Sequence, residues 1–154
     1  MAASDRPTVP PLDQDEEAFF RAMMRVLVVL PRVLDADLVA QQHISATEYV
    51  TLMHLSEATD RQLRMSELAE ACDLSLSGMT RVVARLESDG FVARRRCLED
   101  ARGWNAQLTP KGLGRLEEAY PVHLASVRRR VIDHMAELDL AQLAVAFEEV
   151  ASQD

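Results

Sequence analysis

Apolar residues recur at three- and four-residue steps over most of the chain, so the pattern is mainly helical. The first dozen residues, with Pro7, Pro10 and Pro11, show no period and read as a flexible tail over 1–14. From Asp15, the spacing of Phe19, Phe20, Met23, Met24, Leu27 and Leu30 predicts an amphipathic helix. Pro31, which removes a helix donor, is expected to kink or break it before Val33, Leu34 and Leu38 resume the pattern. Ser45 and Glu48 form a capping-box signature, and a helix over 46–57 follows.

The middle of the chain is patterned more finely. Ser66 reads as the cap of a two-turn helix over 67–72, Asp73-Leu74-Ser75 as a short turn, and 76–88 as a second helix stopped at Asp89-Gly90. Two short helices on a tight turn suggest a helix-turn-helix. Strands are expected over 91–94 and 104–108, joined by a polar hairpin loop over 95–103, and together these elements predict a winged helix. Thr109-Pro110 opens a further helix whose apolar stripe, Leu113 to Leu138, would extend about 39 Å at 1.5 Å per residue. Pro121 is expected to bend it. Asp139 and Gln142 then introduce a last amphipathic helix through Leu140, Leu143, Phe147 and Val150. The long stripe exceeds what a chain of 154 residues buries alone. Two-fold pairing of the terminal helices is expected, with a longer bundle inside one chain as the alternative.

The expected fold class is therefore mainly α with a small β-hairpin wing: a winged helix-turn-helix domain plus terminal dimerisation helices. The boundaries are a dimerisation helix at 15–44, a winged helix-turn-helix lobe at 45–112 and C-terminal dimerisation helices at 113–154. The longest apolar run, Val26 to Leu30, is far shorter than the about 20 residues a membrane span requires, and no basic region precedes an apolar run at the N-terminus, which points to a soluble cytoplasmic protein. Cys72 and Cys97 lack the spacing of a disulfide framework or a zinc site, so neither metal nor cofactor is expected. There is no glycine-rich phosphate loop, GxSxG or HExxH, and His43, His54, His123 and His134 lie without a partnering motif, which argues against an enzyme.

A net charge of −8 argues against a nucleic-acid partner until its distribution is considered. Residues 1–60 carry −6, residues 61–112 carry +2 and residues 113–154 carry −4, so a basic segment sits in an acidic chain. At about 100° per residue, Met79, Val82, Val83 and Leu86 share one face of the 76–88 helix, and Ser77, Thr80, Arg81, Ala84, Arg85 and Ser88 share the other. Arginine makes bidentate contacts to guanine in the major groove, and small hydroxyl residues permit close approach. The plainer reading pairs Arg81 and Arg85 with nearby carboxylates; their position after a helix-turn and before a basic hairpin favours DNA. That hairpin carries Arg94, Arg95, Arg96 and Arg102, and an arginine at its tip suits the negative minor groove, with Asp100 placed to orient Arg102.

The runs Met65-Ser-Glu-Leu-Ala-Glu-Ala, Leu74 to Val92 and Asp100-Ala-Arg-Gly-Trp-Asn-Ala-Gln-Leu-Thr-Pro-Lys-Gly112 resemble the MarR family of bacterial transcription regulators. The last carries that family's wing pattern, Asp-x-Arg followed by Leu-Thr-x-x-Gly, while Gly103-Trp104 departs from the small or β-branched residues common there. The resemblance spans 16–150 and implies a homodimeric regulator, often a repressor, that binds a pseudo-palindromic double-stranded DNA operator. By position it implies that Ser75, Ser77, Thr80, Arg81 and Arg85 face the major groove and Arg102 the minor groove. It further implies release by a small, often aromatic, effector held between the dimer helices and the lobe. Met24, His43, Met53, His54 and Tyr120 are the candidate effector residues, against a plain core role for the methionines. Cys97, beside three arginines, is a candidate redox thiol, and a redox-sensing regulator and a winged-helix protein-interaction module are the competing readings. Arg102→Ala should weaken operator binding by about 1–3 kcal/mol, measured by anisotropy titration; unchanged affinity would remove the wing assignment.

Overall fold

The computed structural model describes residues 9–96 and 103–152. The Arg102 and Cys97 assignments, the orienting role of Asp100 and most of the proposed tail therefore lie outside the described residues. Six α-helices and a three-stranded antiparallel sheet make up the described fold, which is the mainly helical winged arrangement expected.

Helix α1 spans Gln14–Gln42, and Asp13 and Glu16 form its capping box ahead of an acidic first turn that complements the helix dipole. It runs through Pro31 without the break the sequence suggested as one outcome. Pro31 lies on an exposed stretch, so water can serve the carbonyl that loses its donor. α1 ends at His43, which adopts the left-handed conformation at φ 53° and donates its N–H to the Val39 carbonyl. Helix α2 (Ala46–Glu57) starts at the predicted Ser45–Glu48 capping box, and the Asp35 carboxylate accepts the Ala46 N–H at 2.8 Å.

Strand β1 (Gln62–Arg64) precedes helix α3 (Met65–Ala71). The start of α3 is set at Arg64, whose N–H is taken by the Glu67 carboxylate at 3.1 Å, so Ser66 lies inside the first turn and is not the cap. β1 itself, three residues long, is too short to show an alternating pattern, yet it pairs antiparallel with β3. A turn with Asp73 at φ 51° leads to helix α4 (Leu76–Ser88), capped by Ser75 through the Gly78 N–H at 3.1 Å. Gly90, at φ 76°, ends it, and the Phe91 N–H returns to the Leu86 carbonyl at 2.8 Å. Strands β2 (Val92–Arg96) and β3 (Trp104–Leu108) form the hairpin, with strand order β1-β3-β2.

Helix α5 (Pro110–Arg130) opens with Thr109 as cap and Pro110 at its first position and continues through Pro121. It does not reach Leu138 as the stripe suggested: Val131 leaves helical geometry at φ −129°, and a short 3₁₀ turn at Ile132–His134 follows. Three arginines close α5, where positive charge suits the helix end, and two of them fold back onto α1. Asp37 of α1 accepts from Arg130 at 2.8 and 2.9 Å, from Arg129 at 3.0 Å and from the Ser126 hydroxyl. The Arg130 and Ser126 hydrogen bonds hold the Asp37 carboxyl well below the usual carboxylate range. Helix α6 (Leu140–Ala151) is capped by Asp139, which accepts the Ala141 and Gln142 amides.

The core gathers Leu38 and Ile44 beside α1, Tyr49, Leu52 and Leu55 of α2, Leu68 of α3, Met79, Val83 and Leu86 of α4, Val92, Ala106 and Leu108 of the hairpin, and Leu116 and Ala119 of α5. The hairpin is fixed to α5 at Gly112, where a Cβ would stand 2.0 Å from the Phe91 carbonyl oxygen. This explains why the wing pattern ends in glycine. By contrast, α6 buries no residue, and Phe19, Phe20, Leu27 and Val28 on the N-terminal half of α1 remain about half exposed or more.

Two predictions follow from this packing. Gly112→Ala should lower unfolding free energy by about 3 kcal/mol in urea denaturation, and a neutral result would contradict the close contact. His123 stacks 4.5 Å from the Tyr49 ring, its Nδ1 has no partner among the described residues, and burial pushes its pKa below the ordinary histidine value. The unfolded chain therefore takes up the proton first, so His123 stabilises the fold above about pH 6.5 and that contribution fades as pH falls toward the depressed folded value. His123→Phe should lose less stability than the wild type between about pH 7.5 and pH 5.5; equal losses would contradict this.

Candidate nucleic-acid interface

The two faces of α4 separate as the periodicity requires. Met79, Val83 and Leu86 are buried with Val82 half-buried, whereas Ser75, Ser77, Thr80, Arg81, Ala84, Arg85 and Ser88 are exposed. At its start, the Ser75 and Ser77 hydroxyls lie 3.1 Å apart, and the Thr80 hydroxyl donates to the Leu76 carbonyl at 2.8 Å. The exposed N-terminal turn of α4 thus presents small polar groups and the positive end of the helix together. Arg81 is exposed and has no ion-pair partner among the described residues.

The other arginines have distinct environments. Arg85 donates through Nε to the Glu48 carboxylate at 2.5 Å, which realises the plainer carboxylate-pairing reading at this position while leaving the side chain 64% exposed. Burial pushes the Glu48 carboxyl up, but the Ser45 amide, the Arg85 guanidinium and the Ser45 hydroxyl more than offset it, and its pKa lies below the ordinary value. Between the start of α2 and α4, a cleft of about 380 Å³ is lined by Ser45, Thr47, Glu48, Gly78, Arg81 and Arg85. Arg94 is held to Glu87 of α4 at 2.7 Å, so it braces the hairpin against the helix. Arg95 and Arg96 are exposed on β2, and the Arg96 guanidinium lies 5.4 Å from the centre of the Trp104 ring.

Two residues absent from the sequence-based site belong to this face. Trp104, the chain's single tryptophan, is 45% exposed and shares a cleft of about 300 Å³ with Leu76 and Thr80 at the start of α4. Its exposure was signalled only by its departure from the wing pattern. Glu48 was legible as a capping residue, but nothing in local spacing shows that its second oxygen reaches Arg85.

The candidate effector residues are spread over α1 and its cap, α2 and α5. Met24 is exposed on α1, His43 is the left-handed cap of that helix, Met53 packs against the core, His54 is half-buried and Tyr120 is exposed. A groove of about 630 Å³ does lie between α1 and the end of α5, lined by Val26, Val29, Leu30, Val33, Val131 and Met135 with Arg25, Arg129 and Arg130. None of the five candidates lines it. Cys72 is half-buried, and burial pushes its thiol up, consistent with a packing role. Among the described residues no cluster of three His, Cys, Asp or Glu side chains is placed to hold a metal ion, and no helix is long and apolar enough to cross a membrane.

With this geometry in view, known proteins provide a comparison. Residues 44–103, which include α2, α3, α4 and β2, match the family model described as MarR family. The fold is similar to that of AbsC, a MarR family transcriptional regulator from Streptomyces coelicolor, at 34% identity and a TM-score of 0.83, covering 93% of this chain and 96% of that one. It is also similar to Sco3205, a MarR family transcriptional regulator from Streptomyces coelicolor solved in complex with DNA, at 30% identity and a TM-score of 0.85 over 95% of each chain. The transcriptional repressor YetL of Bacillus subtilis is 34% identical over 88 residues, which are 57% of this chain and 53% of that protein. The matched segment thus spans about half the length of that curated relative.

Proposed function

The chain belongs to the MarR family, and from that premise we propose that it is a homodimeric transcriptional repressor that binds a pseudo-palindromic operator in double-stranded DNA and is released by a small aromatic effector. Its relatives are transcriptional regulators and not enzymes. The observation that carries the DNA-binding reading is the exposed face of α4: Ser75, Ser77, Thr80, Arg81 and Arg85 stand on one side of a helix whose other side is locked into the core. Such a helix fits the major groove, where an arginine addresses a guanine edge and the serines with the helix N-terminus address phosphate. Arg95, Arg96 and Arg102 of the hairpin serve the adjacent groove and backbone, and Arg94 supports them through Glu87.

Residues 45–112 are the DNA-binding lobe in this reading, and 15–44 with 113–154 are the dimerisation elements. A second copy supplies what α6 and the N-terminal half of α1 lack, a surface to cover Phe147, Val150, Phe19, Phe20 and the neighbouring groove. Two lobes held by one dimer read half-sites about 34 Å apart, so an effector that prefers another separation weakens contacts in both grooves at once.

Anisotropy titration of the full chain against duplexes from its own upstream region, at two salt concentrations and with the mass of the complex measured by sedimentation, tests this function. Selective binding by a dimer should weaken steeply with salt. Binding to no duplex, or binding by a monomer, would contradict it, and a salt-insensitive association with protein partners instead would indicate an interaction module.

A further inference from the structure

Two arginines stand one helical turn apart on the exposed face of α4, and the structure treats them differently. Arg81 has no carboxylate partner among the described residues, while Arg85 is bonded through Nε to Glu48 at 2.5 Å. The Glu48 side chain is only 9% exposed, against 64% for Arg85, so the carboxylate is fixed and the guanidinium is the outward member of the pair. Its other oxygen accepts both the N–H and the hydroxyl of Ser45, each at 2.8 Å. Glu48 therefore cannot follow Arg85 toward solvent without dismantling the start of α2. The bond uses one of the five guanidinium N–H donors and leaves the two terminal nitrogens for another acceptor.

We infer that Glu48 is a positioning residue for DNA discrimination: it neutralises Arg85 toward phosphate while aiming its terminal nitrogens at a base edge. The inference rests on the DNA-binding reading above. An unpaired arginine at a DNA surface gains affinity from any phosphate by releasing counterions, without regard to sequence. An arginine already paired with a fixed carboxylate brings little net charge, so its gain comes chiefly from directional hydrogen bonds such as those to guanine O6 and N7. Glu48 thus withholds Arg85 from indiscriminate binding, and Arg81 is the residue that supplies the phosphate-driven share.

The test uses the full-length protein with two 30-bp probes, a duplex recovered by the wild type from a random-sequence pool and a shuffled duplex of the same composition. Affinities are followed across a potassium chloride series. On the shuffled probe, Arg81→Ala should reduce the salt slope by about 0.9 per protomer, whereas replacing the whole neutral pair, Glu48→Gln together with Arg85→Ala, should leave it unchanged. Glu48→Gln, which retains acceptors for Ser45, should raise that slope by about 0.9 per protomer and strengthen shuffled-probe binding roughly ten-fold, collapsing the ratio between the probes. Removing Arg85 as well should return shuffled-probe binding to the wild-type level, and Glu48→Asp should preserve more of the ratio than Glu48→Gln. A merely structural Glu48 would lower the melting temperature without raising shuffled-probe affinity. An unchanged ratio in a folded Glu48→Gln, or a slope loss in the double variant equal to that of Arg81→Ala, overturns the inference. If Glu48→Gln does not fold, Arg85→Lys decides alone: it should keep the shuffled-probe slope and lose affinity for the selected probe, and equal affinity for that probe overturns the inference. Absence of salt-sensitive, selective binding by the wild type would instead overturn the reading on which the inference rests.

Discussion

The insertion of Met79, Val83 and Leu86 into the core fixes how α4 and the hairpin sit on the molecule. Burying side chains of this size contributes roughly 1.5–3 kcal/mol each, whereas an exposed pair such as Arg21–Glu17 contributes about 0–1 kcal/mol. The apolar contacts therefore decide the rotation of α4 about its own axis. Once that rotation is set, Ser77, Thr80, Arg81 and Arg85 have only the solvent side left to occupy. The hairpin is placed by the same logic: Val92, Ala106 and Leu108 join the core, and the contact of Gly112 with the Phe91 carbonyl leaves no room for another residue.

Arginines dominate the basic segment, yet they do not share one role. Arg94 braces β2 against Glu87, Arg96 lies by the Trp104 ring, Arg85 is held by Glu48, and Arg81 is exposed with no ion-pair partner among the described residues. At the other end of the molecule, Arg129 and Arg130 close on Asp37 and bind the end of α5 to α1. The net charge of the segment is small because carboxylates are built in beside the cations. Attraction for DNA then depends on which cations remain uncompensated, a property that total charge does not express.

Elements with several turns and a capping residue were legible from the pattern alone. Both faces of α4, the Ser45–Glu48 box, the Thr109-Pro110 start and the two hairpin strands were read from neighbouring residues, because the physics that forms them is local. What was not legible depends on distant partners. β1 exists because β3 offers it a ladder, three residues being too few to carry a period. The apolar spacing past Arg130 continued on paper, but the chain turns out of the helix at Val131, where the end of α5 is tied to Asp37 of α1. Glu48 looked like a cap and is one, yet its bond to Arg85 spans 37 residues and no motif announces it. The candidate site was thus visible as a surface, and its internal wiring was not.

In the proposed function two copies of the α4 face engage one DNA molecule together. Hydroxyl-radical footprinting of the selected duplex reads this out. Two protected patches related by a two-fold axis are expected, with centres about one helical turn, roughly 10 bp, apart. A single protected patch, or uniform protection without periodicity, would contradict it.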